Sequence, residues 1–184
     1  KLAGMLISLG YTETFTMDNP QELTLTLNSK DIQCFGSKNG TLEAVVQGEA
    51  PFSYSWTDPL GVTTTGNIQK IDCQIPGRYS LEVTDRLGCI ITDAREIIEP
   101  TPVSARVDYK NVKCNNEENG SIIVYAVGGS GIYTYELINV DDNSIVSNTN
   151  EALNIKGAPY QYKVFDSNGC PWTSSVINLI NPVP

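Results

Sequence analysis

The five cysteines of this 184-residue chain are spaced as if one unit occurred twice. The interval from Cys34 to Cys89 is only one residue shorter than the interval from Cys114 to Cys170, and Cys73 is the odd one. An internal repeat restricts the fold more than any local pattern, because each copy must fold in the same way. The spacing therefore predicts two copies of one domain.

The residues around the cysteines repeat in the same order. Each copy has Asn-Gly shortly after its first cysteine, then an apolar stretch, a Gly-containing turn and an aromatic stretch, and it closes with Tyr-x-x-x-Val-x-Asp-x-x-Gly-Cys. The landmarks of the first copy are Asn39-Gly40 and residues 42–46, 48–56 and 79–89; those of the second are Asn119-Gly120 and residues 122–127, 129–137 and 160–170. Equivalent landmarks recur with a period of roughly 80 residues, which sets the size of the unit.

A residue followed by proline marks each join between units. The three pairs are Asn19-Pro20, Glu99-Pro100 and Asn181-Pro182, and the intervals between them are nearly equal. They predict a first repeat over residues 21–100 and a second over residues 101–184. Residues 1–20 then resemble the tail of a preceding repeat unit, and the alternative is that they form an extra hairpin of the first domain.

The polar and apolar residues alternate as they do in β-strands. Leu23, Leu25 and Leu27 alternate with threonines, and residues 52–56 and 79–84 follow the same pattern. A period of two with β-branched and aromatic residues indicates half-buried strands. Turn clusters rich in Gly, Asn and Asp separate these strands. We therefore predict an all-β chain of tandem immunoglobulin-like β-sandwich domains.

Seven aromatic side chains belong to these strand patterns. In a sandwich such side chains fill the core, whereas a row of exposed, coplanar rings would instead form a platform for sugars. We predict a core position for Phe52, Tyr54, Trp56, Tyr79, Tyr133, Tyr135 and Tyr160.

The equal spacings favour one disulfide per domain, Cys34–Cys89 and Cys114–Cys170. The competing arrangement is a Cys89–Cys114 bond between the domains. On the chain-entropy model, a disulfide that closes a loop of this size stabilises a domain by roughly 4 kcal/mol. Such bonds persist outside the reducing cytoplasm, so the cysteines predict an oxidising compartment.

Cys73 has no partner in this scheme. It is in phase with Ile71 and Ile75 and out of phase with the polar Asp72 and Gln74. Because a buried thiol behaves as a small hydrophobic residue, we predict a free core thiol. The alternative is a reactive or intermolecular cysteine.

One aspartate opens the last turn of each copy, Asp85 in the first and Asp166 in the second. An Asp in a hairpin turn accepts hydrogen bonds from nearby backbone N–H groups, which is the role we predict. The alternative is a Ca²⁺ site, with Asp85 and Asp166 as candidate ligands. Because Ca²⁺ takes about six to eight oxygens and each turn supplies one carboxylate, we expect no metal and no other cofactor.

Composition excludes several classes of function. The chain has 12 Lys and Arg against 21 Asp and Glu, a formal net charge of −9, which disfavours binding to nucleic acid or an anionic membrane. It has no histidine, so these residues cannot form a Ser-His-Asp triad or a His-ligated zinc site. No apolar run approaches the roughly 20 residues that cross a bilayer. We therefore predict neither an enzyme nor membrane insertion.

Taken together, the repeated motifs resemble the SprB repeat family. Residues 34–56 and 77–89 match the family pattern of Cys, Asn-Gly, a Gly-rich turn, Tyr-x-Tyr-x-Trp, Gly-x-Tyr, Val-x-Asp and a closing Gly-Cys. The second copy matches with two departures, Leu137 in place of Trp and Ala158 in place of Gly. The resemblance covers roughly residues 20–184.

SprB repeats are tandem modules of giant surface adhesins in gliding Bacteroidota, and the resemblance implies a corresponding role. That role is a non-catalytic segment of an extracellular, cell-surface adhesin, a stiff spacer or adhesive array in gliding motility and surface attachment. The implied partners are an extracellular surface or polysaccharide and, through the full-length protein, the gliding and type IX secretion machinery. We expect a monomeric repeat array. The alternative is a carbohydrate-binding or Ca²⁺-stabilised accessory module of a secreted bacterial protein.

Overall fold

The structure is a computed structural model that describes the backbone of residues 3–8, 11–16 and 19–183. Side chains are described for residues 19–183 with the exception of Cys73. All of the regular secondary structure in these ranges consists of β-strands. Within them, no helix is long and apolar enough to span a bilayer.

The chain divides into two compact units, each made of two separate segments. Unit 1 comprises Lys1–Lys30 and Gly40–Ile97, and unit 2 comprises Asp31–Asn39 and Ile98–Pro184. The sequence places residues 31–39 in the first repeat, whereas the structure groups this segment with unit 2. The segment is held there by a covalent link and by hydrogen bonds to residues of unit 2.

The first two strands form a sheet of their own. β1 (Ala3–Ser8) and β2 (Tyr11–Thr16) pair antiparallel, with Ala3 opposite Thr16 and Ser8 opposite Tyr11. Either alternative for residues 1–20, the tail of a preceding repeat or an extra hairpin, can contain an antiparallel pair. Their assignment to a preceding repeat stays a prediction.

Unit 1 contains a three-stranded and a four-stranded antiparallel sheet. The strands are β3 (Thr24–Lys30), β4 (Gly40–Gln47), β5 (Ser53–Thr57), β6 (Thr63–Gly66), β7 (Lys70–Gln74), β8 (Gly77–Thr84) and β9 (Ile90–Ile97). Their order is β3-β4-β7 in one sheet and β6-β5-β8-β9 in the other. Alternate residues of β4, β5 and β8 are buried, among them Leu42, Trp56 and Val83. The indole N–H of Trp56 is satisfied by the Ile68 carbonyl at 2.7 Å.

Unit 2 repeats this strand order. Its strands are β10 (Ser104–Lys110), β11 (Gly120–Val127), β12 (Tyr133–Asn139), β13 (Ile145–Ser147), β14 (Glu151–Ile155), β15 (Pro159–Asp166), β16 (Pro171–Thr173) and β17 (Ile177–Asn178). The sheets are β10-β11-β14 and β13-β12-β15-β16, with β17 also paired to β15. The last strand of unit 1, β9, corresponds to the two short strands β16 and β17. Two sandwiches with one strand order confirm the predicted all-β, immunoglobulin-like fold.

The predicted core aromatics differ in how deeply they are buried. Tyr54, Trp56, Tyr79 and Tyr160 are buried, and Phe52, Tyr133 and Tyr135 are half-buried. Leu137, which departs from the SprB pattern, is fully buried in the core of unit 2. So is Tyr162, which the sequence reading did not single out. The Leu137 side chain therefore fills a core position.

A tyrosine at the start of an inner strand closes a corner in each unit. The Tyr79 hydroxyl donates to the Ile75 carbonyl at 3.0 Å, and the Tyr160 hydroxyl donates to the Lys156 carbonyl at 3.1 Å. Immunoglobulin-like sandwiches use such a tyrosine corner to fix the turn into this strand. This explains the tyrosine that opens each closing motif.

The Asn-Gly pairs also have a structural reason. The side-chain oxygen of Asn119 accepts the Lys113 N–H at 2.9 Å and closes the preceding loop, and Asn39 does the same for Gln33 at 3.2 Å. At Gly120 a Cβ would lie 2.9 Å from the Ile155 carbonyl oxygen. The strand can approach its neighbour this closely only without a side chain.

Candidate functional site

The closing turn of the second repeat, residues 166–170, is built around its aspartate. Asp166 Oδ1 accepts the N–H of Asn168 at 2.9 Å and of Cys170 at 2.8 Å. The Gly169 N–H donates to the Asp166 carbonyl at 2.9 Å, and Gly169 has a φ of +80° that favours glycine. The turn therefore fixes the position of Cys170.

The closing turn of the first repeat, residues 85–89, has the same hydrogen bonds. Asp85 Oδ1 accepts the N–H of Leu87 at 2.9 Å and of Cys89 at 2.8 Å. The Gly88 N–H donates to the Asp85 carbonyl at 3.1 Å, and Gly88 has a φ of +85°. Cys89 and Cys170 are thus held by equivalent turns.

Asp166 makes one further contact that Asp85 does not share. Its second carboxylate oxygen, Oδ2, accepts the Ser130 N–H at 2.9 Å. Burial is the largest single effect on the pKa of Asp166 and raises it, but the hydrogen bonds from Cys170, Ser130 and Asn168 together lower the pKa below its ordinary value. Both carboxylate oxygens are therefore occupied by backbone N–H groups.

The two aspartates act in the structure as turn acceptors. Among the described side chains, no three of Cys, Asp and Glu lie close enough together to hold a metal ion. A Ca²⁺ ion would have to displace the N–H groups that now occupy the Oδ1 atoms of Asp85 and Asp166. The expectation that the chain binds no metal stays a prediction.

Each repeat presents its first cysteine on a loop, here named the cysteine loop (residues 31–39 and 111–119). The Ser37 N–H donates to the Cys34 carbonyl at 3.0 Å, and the Glu117 N–H donates to the Cys114 carbonyl at 3.2 Å. The residue two positions after each cysteine is left-handed, with a φ of +76° at Gly36 and +58° at Asn116. The two loops therefore have the same turn at the same place.

The landmark residues before proline hold these loops. The Gly36 N–H donates to Glu99 Oε1 at 2.7 Å, and the Asn116 N–H donates to Asn181 Oδ1 at 3.1 Å. Because Glu99 and Asn181 are equivalent positions of the repeat, the anchoring contact is repeated as well.

The start of each cysteine loop is anchored by a second equivalent pair. Asp31 Oδ1 accepts the Ile98 N–H at 2.9 Å, and Asn111 Oδ1 accepts the Ile180 N–H at 3.0 Å. With both ends held, the loop presents its cysteine in a defined position.

The structure bonds Cys34 to Cys170, and both residues belong to unit 2. Cys89 and Cys114 are free and exposed. The predicted bonds Cys34–Cys89 and Cys114–Cys170 are therefore wrong, as is the competing Cys89–Cys114 bond. The side chain of Cys73 lies outside the described residues, so its prediction as a buried free thiol stays a prediction.

The position of strand β11 explains why Cys114 does not bond to Cys170. The loop with Cys114 precedes the first residue of β11, Gly120. Cys170 lies beyond the other end, because β11 leads into β12, whose first residue, Tyr133, pairs with Asp166. Eight residues of strand span roughly 25 Å, whereas the Cα atoms of a disulfide lie within about 7 Å. The equal spacing reflects the repeat and not proximity.

Polar and apolar groups surround the bonded pair. The Asn168 side-chain amide donates to the Gln33 carbonyl at 3.2 Å. Phe35, 58% exposed, lies beside the bond in a shallow cavity that also includes Pro100, Pro102 and Val103.

A second feature of unit 2 is a groove of about 450 Å³ where the last strand is split into β16 and β17. Tyr109, which is 55% exposed, and the half-buried Trp172 line it. Ser174 leaves the strand there and binds Tyr162, whose N–H donates to Ser174 Oγ at 3.0 Å. Sequence reasoning missed the groove because Tyr109 and Trp172 lie outside the repeated motif. The alternation of residues 103–109, which ends in Tyr109, was the signal available in the sequence.

Sequence comparison finds one family. The SprB repeat family model matches residues 26–61 and 106–142, one match in each predicted repeat. No curated protein matches the chain in sequence.

Several solved structures resemble the chain in fold. One is a C-terminal fragment of intimin in complex with the intimin-binding domain of the translocated intimin receptor, with 12% identity and a TM-score of 0.47; the match covers 87% of this chain and 64% of that one. An amphioxus IgVJ-C2 molecule has 9% identity and a TM-score of 0.36, and the match covers 84% of this chain and 95% of that one. A Dscam structure has 14% identity and a TM-score of 0.34, and the match covers 82% of this chain and 43% of that one. The chain thus spans less than two thirds of the intimin fragment, and the likeness concerns the fold alone.

Proposed function

Because the chain carries two SprB repeats, we propose that it is a non-catalytic repeat segment of a large cell-surface adhesin. It acts outside the cell as a stiff spacer and adhesive array, in gliding motility and surface attachment. The repeated sandwich supports this role, since tandem modules extend a protein and multiply weak contacts. The disulfide supports an oxidising, extracellular location.

The observation that carries the spacer role is the Cys34–Cys170 bond. Its Cα atoms are 5.5 Å apart, although the residues are 136 positions apart in sequence. When the chain is pulled from its ends, force passes from residue 34 to residue 170 through the bond. The intervening residues, which would extend to roughly 470 Å if unfolded, carry no tension. The bond therefore protects the folded residues 35–169 from load and limits how far the segment can lengthen.

Single-molecule pulling from the two ends tests this role. We expect no extension from residues 35–169 without reductant, and a total extension larger by roughly 470 Å after reduction. Cys34→Ala should extend fully without reductant. Cys89→Ala is the matched control, because Cys89 is free and its loss leaves the bond intact. Full extension of the unreduced wild-type chain would refute the shielding.

The proposal also includes a location on the cell surface and specific partners. The partners are an extracellular surface or polysaccharide and, through the full-length protein, the gliding and type IX secretion machinery. An antibody raised against residues 19–183 should label intact cells. Labelling only after permeabilisation would contradict a surface adhesin.

The groove between β10 and the split last strand favours a second function, carbohydrate binding. Sugar sites combine an aromatic face with a few polar groups, and here Tyr109 and Trp172 lie beside Ser174 and Asn178. Tyr109→Ala should abolish binding to a glycan panel, whereas Tyr125→Ala, an exposed tyrosine of β11 outside the groove, should not. No binding by the wild-type chain would exclude this function for the panel tested.

A further inference from the structure

We propose that Cys114 and Cys89 are the two halves of further disulfides that link each repeat to its neighbours. Cys114 would bond to the closing-turn cysteine of a following repeat. Cys89 would bond to the cysteine loop of a preceding repeat. The partner in both cases is another repeat of this family, and a second copy of this chain can supply it. The inference rests on the proposed repeat array and names the partner of its cysteines.

The bonded pair defines which kinds of cysteine combine. Cys34 lies on a cysteine loop and Cys170 lies on a closing turn, and the loop belongs to the sequence repeat before the turn. In this rule, the cysteine loop of one repeat bonds to the closing turn of the next repeat. Within two repeats the rule pairs one loop with one turn, and it leaves the loop of the second repeat and the turn of the first repeat without partners. These are Cys114 and Cys89, which are the free and exposed cysteines among the described side chains.

The free cysteines are presented in the same way as the bonded ones. The loop of Cys114 has the left-handed Asn116 and the Asn181 anchor, where the loop of Cys34 has Gly36 and Glu99. In the turn of Cys89, the Asp85 carboxylate accepts the Cys89 N–H at 2.8 Å, the distance at which Asp166 holds Cys170. Each free thiol is therefore held as its bonded counterpart is held.

One supporting contact differs between the existing and the proposed bond. Asn168 donates to the Gln33 carbonyl beside Cys34–Cys170, but Leu87 stands at the corresponding position in the first repeat. A Cys114–Cys89 bond would lack that hydrogen bond. The two repeats would then be held together by the covalent bond and by the matching conformations of the closing turn and the cysteine loop.

The bond can form by thiol–disulfide exchange with oxidised glutathione. The Cys114 thiolate attacks one sulfur of glutathione disulfide and releases one glutathione thiolate. The Cys89 thiolate of a second copy then attacks the Cys114 sulfur of the mixed disulfide and releases the second glutathione. Two protein thiols lose two protons and two electrons, and one glutathione disulfide is reduced to two glutathione molecules.

A mixing experiment tests the direction of the bond. One copy carries Cys114→Ser and offers Cys89; the other carries Cys89→Ser and offers Cys114. Both also carry Cys73→Ala, so that this cysteine does not contribute. After mixing in a glutathione buffer, non-reducing electrophoresis and peptide mass mapping should show the Cys89–Cys114 heterodimer in clear excess over both homodimers together.

Random pairing gives as much heterodimer as the two homodimers combined, and that result would overturn the proposal. So would a map in which Cys34–Cys170 is absent, because the pairing rule comes from that bond. The wild-type chain provides a second measurement. Oxidation should give head-to-tail oligomers that reductant dissolves, and links through other cysteine pairs would also overturn the proposal. The pulling experiment depends on Cys34–Cys170 alone, so the spacer role can survive a failure here.

Discussion

Replacing the buried aspartate of each closing turn by asparagine should affect the two repeats very differently. The two turns share the same Oδ1 hydrogen bonds, but within the described part of the chain Asp166 alone also accepts a backbone N–H at Oδ2, from Ser130 at 2.9 Å. In Asp166→Asn, an NH₂ group replaces Oδ2 and faces the Ser130 N–H. Turning the amide around would instead place NH₂ against the N–H groups of Asn168 and Cys170. No orientation satisfies all three donors.

The magnitude follows from these contacts. Asp166→Asn loses the hydrogen bond that the charged carboxylate accepts from the Ser130 N–H and places an NH₂ group against that N–H, so the free energy of unfolding should fall by about 2 kcal/mol. For a domain of this size that lowers the melting temperature by roughly 10 °C or more. Asp85→Asn keeps both acceptor contacts of Oδ1 and should lower the free energy of unfolding by about 1 kcal/mol or less.

The pH dependence gives a second test of the same reasoning. The pKa of Asp166 is lowered in the folded state, so the unfolded chain binds more protons in acid and the stabilisation exists above the unfolded pKa of about 3.9. It is lost as pH falls through the folded pKa. The difference between Asp166→Asn and the wild type should therefore shrink in acid. Urea unfolding at pH 7 and pH 3 measures it, and equal effects of the two variants at pH 7 would refute the reasoning.

Three other perturbations test separate parts of the structure. Burial is the main cause and the Glu151 carboxylate the second cause that raise the pKa of Tyr162 to about 12. The wild type should therefore lose stability between about pH 10 and 12, because the unfolded chain releases this proton first. Tyr162→Phe should lose less stability, which urea titrations in alkaline buffer would show. Gly120→Ala places a Cβ 2.9 Å from the Ile155 carbonyl oxygen and should lower the free energy of unfolding by about 1–3 kcal/mol, whereas Ser121→Ala next to it should change it by less than about 0.5 kcal/mol. Reductant should lower the melting temperature, because the bond closes a long loop, and chelator should leave it unchanged; a fall with chelator would indicate a metal at the aspartate turns.

The core could be predicted from the sequence because it depends on local alternation. Tyr54 and Trp56 lie two residues apart on one strand, so period-two patterning alone places both inward. The same pattern in Tyr160, Tyr162 and Val164 contained the signal for the buried Tyr162. That tyrosine was missed because it lies between the two landmarks of the closing motif.

The groove depends on where the chain leaves a strand, which local patterns do not specify. Unit 1 ends in one eight-residue strand, whereas the equivalent stretch of unit 2 is interrupted at Ser174. The interruption opens the space beside Tyr109. Ser174 and Tyr109 do not belong to a recognisable sequence motif, so only the fold shows that they lie at the same groove.

The disulfide pairing could have been excluded by counting strands. In an antiparallel sandwich each strand carries the chain from one end of the domain to the other, and aligned sheets share those ends. Five strands, β11 to β15, separate the cysteine loop of Cys114 from the closing turn of Cys170. An odd number of strands places the two thiols at opposite ends of the sandwich, whatever their spacing in sequence. A cysteine loop can therefore meet a closing turn only when the two come from different repeats, which is the combination found in Cys34–Cys170.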